Sequence, residues 1–136
     1  MQLQNYSIFP VRASAILTTS YVAGTIMGPV ETTGQLCANP SSNNQLVILW
    51  SFTLGSLTSG ELKVEFSHDG TTYYQETFGN IITGTETDTL GEHTVIASGN
   101  YRIEIPLKDN YVKISVKGTG TATNSLCKVD TIIGTV

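Results

Sequence analysis

Gln45-Leu46-Val47-Ile48-Leu49-Trp50-Ser51-Phe52-Thr53-Leu54 is the most hydrophobic stretch of the chain. Leu46, Ile48, Trp50, Phe52 and Leu54 recur at every second position, the period of a strand that turns one face to a core. Val47 and Leu49 make the opposite face apolar at its start. A strand with two apolar faces is expected in the middle of a sheet or beneath a covering partner. Trp50 is the only tryptophan, and its expected place is the core.

The same period runs outward from this stretch in both directions. Upstream, Ala13 to Ala23 is the first candidate strand. Gly24 to Asn44, with Gly28-Pro29 and Asn39-Pro40, reads as a long connection holding a short strand near Val30 to Thr33. Downstream, Glu61 to Ser67 alternates Leu62, Val64 and Phe66 against Glu61, Lys63 and Glu65. Asp69-Gly70 then marks a hairpin turn, because both residues tolerate positive φ. The return strand is expected over Thr72 to Phe78, in one of two registers. A two-residue turn sets Lys63 opposite Glu76, and a bulged three-residue turn sets Val64 opposite Tyr74. Gly79 to His93 reads as a Thr- and Gly-rich loop. Strands follow at Thr94 to Ser98, Tyr101 to Leu107, Tyr111 to Lys117 and Ser125 to Ile133, and Pro106 marks an edge or the end of its strand. No stretch carries a helical stripe. Seven to nine strands at this spacing predict an all-β, antiparallel two-sheet β-sandwich, jelly-roll or immunoglobulin-like.

At 136 residues the chain has room for one domain with a core of its own. The expected division is an N-terminal arm over residues 1–12 and a single sandwich over 13–136. Charged residues are only 13% of the total, and polarity is carried by 20 Thr and 12 Ser. A net charge of -4 removes the electrostatic basis for binding nucleic acid or an anionic membrane. No apolar run approaches the roughly 20 residues that cross a bilayer as a helix. No basic residue precedes Arg12, so export by a leader is not expected and synthesis is placed in the cytoplasm. Cys37 and Cys127 admit two readings, one long-range disulfide or two buried thiols, and the lack of an export signal favours thiols.

Chemistry-bearing motifs are absent. There is no His-Glu-x-x-His, Cys-x-x-Cys or Gly-x-Ser-x-Gly. His68 and His93 are expected as solvated turn and loop residues, and no cofactor or metal is expected. Glu86, Asp88 and Glu92 are an acidic loop without the spacing of an EF-hand. Tyr73 and Tyr74 are adjacent on a strand, so at most one faces the core. The other is available to a sugar ring or to a protein partner.

Leu62-Lys-Val-Glu-Phe-Ser67-His-Asp69-Gly70-Thr-Thr-Tyr73 has the form of alternating apolar residues followed by Ser-x-Asp-Gly-x-x-aromatic. It resembles hairpins of discoidin-like carbohydrate-binding domains and of small β-sandwich virion proteins of tailed bacteriophages. Tyr73 stands where a Trp is common. The sialidase Asp-box is similar but one residue longer. The run from Tyr111 to Leu126, strand then Gly/Thr turn then strand, looks like the ending of many short phage structural proteins. Thr, Ser and Gly richness without an expected leader fits a particle protein made in the host cytoplasm, and equally a mature extracellular domain that has lost its leader. The resemblance implies a non-enzymatic virion protein, a head decoration (cement) protein or a tail or neck accessory. Its implied partners are a major capsid protein or tail and neck proteins, together with copies of itself. The expected contact residues are Leu3, Tyr6, Ile8 and Phe9 of the arm, with Tyr73 and Tyr74. The alternative is a carbohydrate-binding or adhesion domain that uses Tyr73 or Tyr74, and a small lectin-like enzyme is a third.

Overall fold

The structure is a computed structural model that describes residues 4–28, 45–82, 85–90, 92–107 and 109–135, with side chains for 8–28, 45–76, 92–107 and 109–134. Eleven strands are present among these residues, and no helix. The Trp50 stretch is β3 (Gln45–Thr53), and it lies inside a sheet as its two apolar faces require. Its neighbours are β11 (Leu126–Thr135) and β9 (Gly99–Pro106), with β1 (Gln4–Ala15) beyond β11. The second sheet runs β2 (Val22–Ala23), β10 (Tyr111–Gly120), β4 (Leu57–Ser67), β5 (Tyr74–Gln75), and β8 (Glu92–Val95) also pairs with β4. β6 (Thr77–Ile82) and β7 (Thr85–Leu90) pair with each other.

This order decides between the two expected topologies. The first and last strands are neighbours, and the chain crosses between the two main sheets at every step except the stretch from β4 to β8, which begins and ends in the second sheet. With β6 and β7 inserted in that exception, the strand path is that of a jelly roll.

The sheets meet through alternating side chains. Leu46, Ile48, Trp50 and Phe52 of β3 face Leu62, Val64 and Phe66 of β4 and Val112, Ile114 and Val116 of β10, all in one buried cluster. The rings of Trp50 and Phe52 lie 5.6 Å apart, and those of Trp50 and Tyr101 5.9 Å apart. Gly60 and Gly118 are cross-strand partners in the opposing sheet. A Cβ on Gly60 would meet the Phe52 ring at 2.5 Å, and one on Gly118 would meet Leu57 at 2.7 Å. The glycine pair is therefore a hollow that large side chains fill. On the other face of β3, Val47 is fully buried and Leu49 half-buried.

Several sequence expectations are corrected. The first strand starts at Gln4, so the boundary expected between residues 12 and 13 falls inside β1. Its register with β11 shifts between Gln4 and Ser7, Pro10 and Arg12, and Arg12 and Ala15. Each irregularity resets the side-chain alternation, which hides the strand period from the sequence. Residues 16–21 leave the first sheet and carry the chain to β2, so Ala13 to Ala23 is no single strand. The hairpin takes neither expected register: Phe66 pairs with Tyr74 and Glu65 with Gln75. The return strand ends after two residues, and the loop expected over Gly79 to His93 holds the β6–β7 hairpin and the start of β8. The strand expected near Val30 to Thr33 lies outside the described residues, as does Cys37.

Replacing Gly60 by Ala forces the Phe52 ring to move within a packed core. We expect a loss of about 1–3 kcal/mol in urea unfolding, largely recovered when Phe52→Leu is combined with it. An unchanged midpoint for Gly60→Ala would show that the sheets are not in contact there.

Candidate interaction surfaces

The two ends of the sandwich differ. One end gathers the short connections 16–21, 54–56, 96–98 and 121–125, and polar side chains fasten them. Asn124 Oδ1 accepts from the Ser56 amide at 2.7 Å, and Ser98 Oγ from the Leu54 amide at 2.9 Å. Ser125 Oγ accepts from the Leu17 amide at 3.1 Å. The guanidinium of Arg12 donates to the carbonyls of Ala15, Ile16 and Cys127. Ile16, Ile96 and Leu126 remain exposed on this end, Ile96 by 75%. A rigid end carrying bare aliphatic side chains is a surface with little to lose in conformational entropy on contact.

The Ser-x-Asp-Gly turn lies at the opposite end, and its side chains explain its width. Asp69 Oδ1 accepts from the amides of Thr71 and Thr72, both at 2.9 Å, and from Ser67 Oγ. Ser67 Oγ accepts in turn from the Gly70 amide. Gly70, at φ 79°, takes the left-handed conformation beside the Tyr111 ring. These bonds stand in for the ladder bonds a tight turn would make, so pairing with β4 resumes only at Tyr74. The same donors hold the Asp69 carboxyl below the usual carboxylate range. His68, beside this turn, is exposed with Nδ1 3.5 Å from Asp109 Oδ1.

The expected contact residues separate on inspection. Ile8 is 64% exposed, whereas Phe9 packs against the core. Leu3 and the side chain of Tyr6 lie outside the described residues. Tyr74 is 68% exposed. Tyr73 is half-buried with the Lys113 ammonium 4.2 Å from its ring centre, so one ring face is already occupied. The two tyrosines do not form a joint platform for sugar rings.

The outer face of the second sheet engages most of its charges internally, although Glu61 Oε2 is buried without a hydrogen-bond partner. Lys63 and Lys117 lie 4.7 and 4.8 Å from the Tyr21 ring centre, and the Tyr21 hydroxyl donates to Glu92 at 2.7 Å. Burial and the Glu92 carboxylate push the Tyr21 hydroxyl above its ordinary range. Glu65 is paired with Lys63 and Lys113. Buried Glu61 accepts from Ser59 and Thr119 through Oε1.

A shallow groove of about 440 Å³ crosses β3, β9 and β11 on the first sheet. Its lining includes Ser14, Ser51, Asn100 and Lys128, with no carboxylate, imidazole or thiol to act as a general base. His93 lies elsewhere, and burial lowers its pKa. Cys127 is a free, fully buried thiol that accepts from Trp50 Nε1 at 3.2 Å, and burial raises its pKa. Among the described residues no three ligand-type side chains come together as a metal site.

No protein-family profile and no curated protein sequence matches the chain. Solved structures do. A structure of infectious bursal disease virus, Gx strain, aligns over 98% of this chain and 33% of its own, with TM-score 0.52 and 6% identity. The likeness is one of fold. A Bacillus endospore appendage, from a family of disulfide-linked pili, aligns over 96% of this chain and 88% of its own at 14% identity and TM-score 0.44. The coat protein of Tobacco streak virus aligns over 99% and 89% at 10% identity and TM-score 0.41.

The Asp69 bonds give the turn a defined acid response. A carboxyl whose pKa is lowered on folding stabilises the turn above its unfolded pKa, and that contribution is lost as pH falls through the lowered value. The Thr71 and Thr72 amide resonances should therefore titrate with a midpoint below that of an unfolded aspartate. A shift centred on the ordinary aspartate pKa would contradict these bonds.

Proposed function

We propose that this chain is a non-enzymatic structural protein of a virus particle, a head decoration (cement) protein or a tail or neck accessory. The observation that carries the reading is a jelly roll whose hydrogen-bonded end connections leave large aliphatic side chains bare to the outside. What it offers outward is contact surface: the fastened end with Ile16, Ile96 and Leu126, and the open edges of the first sheet. The groove holds hydroxyl, amide and ammonium groups without a base or nucleophile pair, which fits a binding role better than catalysis. The fold shared with a virus structure adds support by analogy.

In this reading the protein lies across a junction between shell or tail subunits and adds buried area there. Ile8 and Tyr74 are the proposed contacts among the described side chains. Phe9 anchors β1 to its own core, and Tyr73 supports the turn through Lys113. Leu3 and Tyr6 remain proposed contacts at the beginning of the chain.

Gradient-purified particles from the cells that produce the chain test this directly by quantitative mass spectrometry. The chain should band with the shell and tail proteins at a fixed ratio that survives repeated purification. Recovery only in the soluble fraction would overturn the reading.

A further inference from the structure

Five strands lie at the edges of the two sheets among the described residues, and four are poor receivers for another strand. β2 and β5 are two residues long, and β8 is four. β1 is long, but its register breaks three times and Pro10 lies within it. Such breaks, prolines and short lengths are how sheet edges avoid pairing with other chains. β9 has none of them until its last residue. All eight of its residues pair with β3 without a shift, and no described strand occupies its other side.

The side chains of β9 are arranged to suit a copy of itself. Tyr101 and Ile103 point toward the core yet stay only half-buried, since no strand lies beside them. Arg102 and Glu104 alternate with them on the outer face and pair with each other. We propose that β9 is the docking edge for a second copy of this chain, paired antiparallel about a two-fold axis through Ile103. In that register Arg102 lies opposite Glu104 of the partner subunit, twice by symmetry. Ile103 meets its own counterpart, and Tyr101 meets Ile105 of the partner subunit, covering the half-buried side chains.

Charge selects this register over its neighbours. An axis through Arg102 would oppose two arginines, and one through Glu104 would oppose two glutamates. Opposite charges two residues apart attract a copy only when the axis passes between them. The two four-stranded sheets would then become one continuous eight-stranded sheet, with bonds made by the backbone edge that β9 leaves open. This inference rests on the reading of the chain as an assembling structural protein and names one of its contacts.

Sedimentation equilibrium of the full chain from micromolar to millimolar concentration tests it. The wild type should form a dimer. Arg102→Glu and Glu104→Arg should each weaken it by roughly tenfold or more while keeping the wild-type circular dichroism. The double swap, Arg102→Glu with Glu104→Arg, should restore the dimer. A wild type that is monomeric throughout overturns the proposal. An oligomer that ignores both reversals, or one the swap fails to restore, overturns the β9 contact while leaving the particle reading in place. Absence of the chain from purified particles defeats that reading without affecting a measured β9 dimer.

Discussion

The ring of Phe52 lies where Gly60 has no side chain, and the closeness of the two sheets depends on that fit. Gly60 and Gly118 are side by side across β4 and β10, so the hollow is two strands wide. Phe52 fills one half and Leu57 the other. Trp50 packs tilted against Phe52, contacts Tyr101 of the edge strand, and gives its indole proton to the buried Cys127 sulfur. This chain of contacts joins β4, β3, β9 and β11, drawn from both layers. Around it, Leu46, Ile48, Leu62, Val64, Val112, Ile114 and Val116 close the core by alternation alone.

From that centre the molecule becomes unequal along its long axis. Next to Phe52 and Leu57 the connections are short and pinned by Asn124, Ser98, Ser125 and Arg12. At the far end the chain makes its wide Asp69 turn and inserts the β6–β7 hairpin. On the outer face of the second sheet most charges are already engaged, Glu61 Oε2 excepted. Its lysines and glutamates are engaged with Tyr21, Tyr73 and one another. Exposed apolar side chains lie at the fastened end (Ile16, Ile96, Leu126), on β1 (Ile8) and along the second sheet's short edge strands (Val22, Tyr74).

The core strands were legible because their signals are local. Leu46 to Phe52, Leu62 to Phe66 and Val112 to Val116 alternate without interruption, and each became a strand facing the core. Pro106 pointed to an edge or a strand end, and it is the last residue of β9, an edge strand. β1 was not legible, because its register shifts scramble the alternation that the eye relies on. The hairpin register failed for a different reason. Asp-Gly signalled a turn correctly, but Ser67 and Asp69 side chains replace backbone bonds and widen it. The jelly-roll path itself depends on pairings between strands far apart in the chain, such as β1 with β11, and no local pattern encodes them. Of the expected contact residues, the exposure of Tyr74 and Ile8 is a tertiary fact that adjacent tyrosines and an irregular arm only hinted at.

The account places the tightest structure at the meeting of β3 and β11 with β4 and β10, through the glycine hollow. Native-state amide hydrogen exchange, read residue by residue, measures this most directly. The slowest amides should belong to these four interior strands and open together in one global unfolding event, with Phe52 and Gly60 in the same protected set. Separate opening of β4 and β10 at markedly lower free energy than β3 and β11 would show that the two sheets are not locked together there, and would contradict the account.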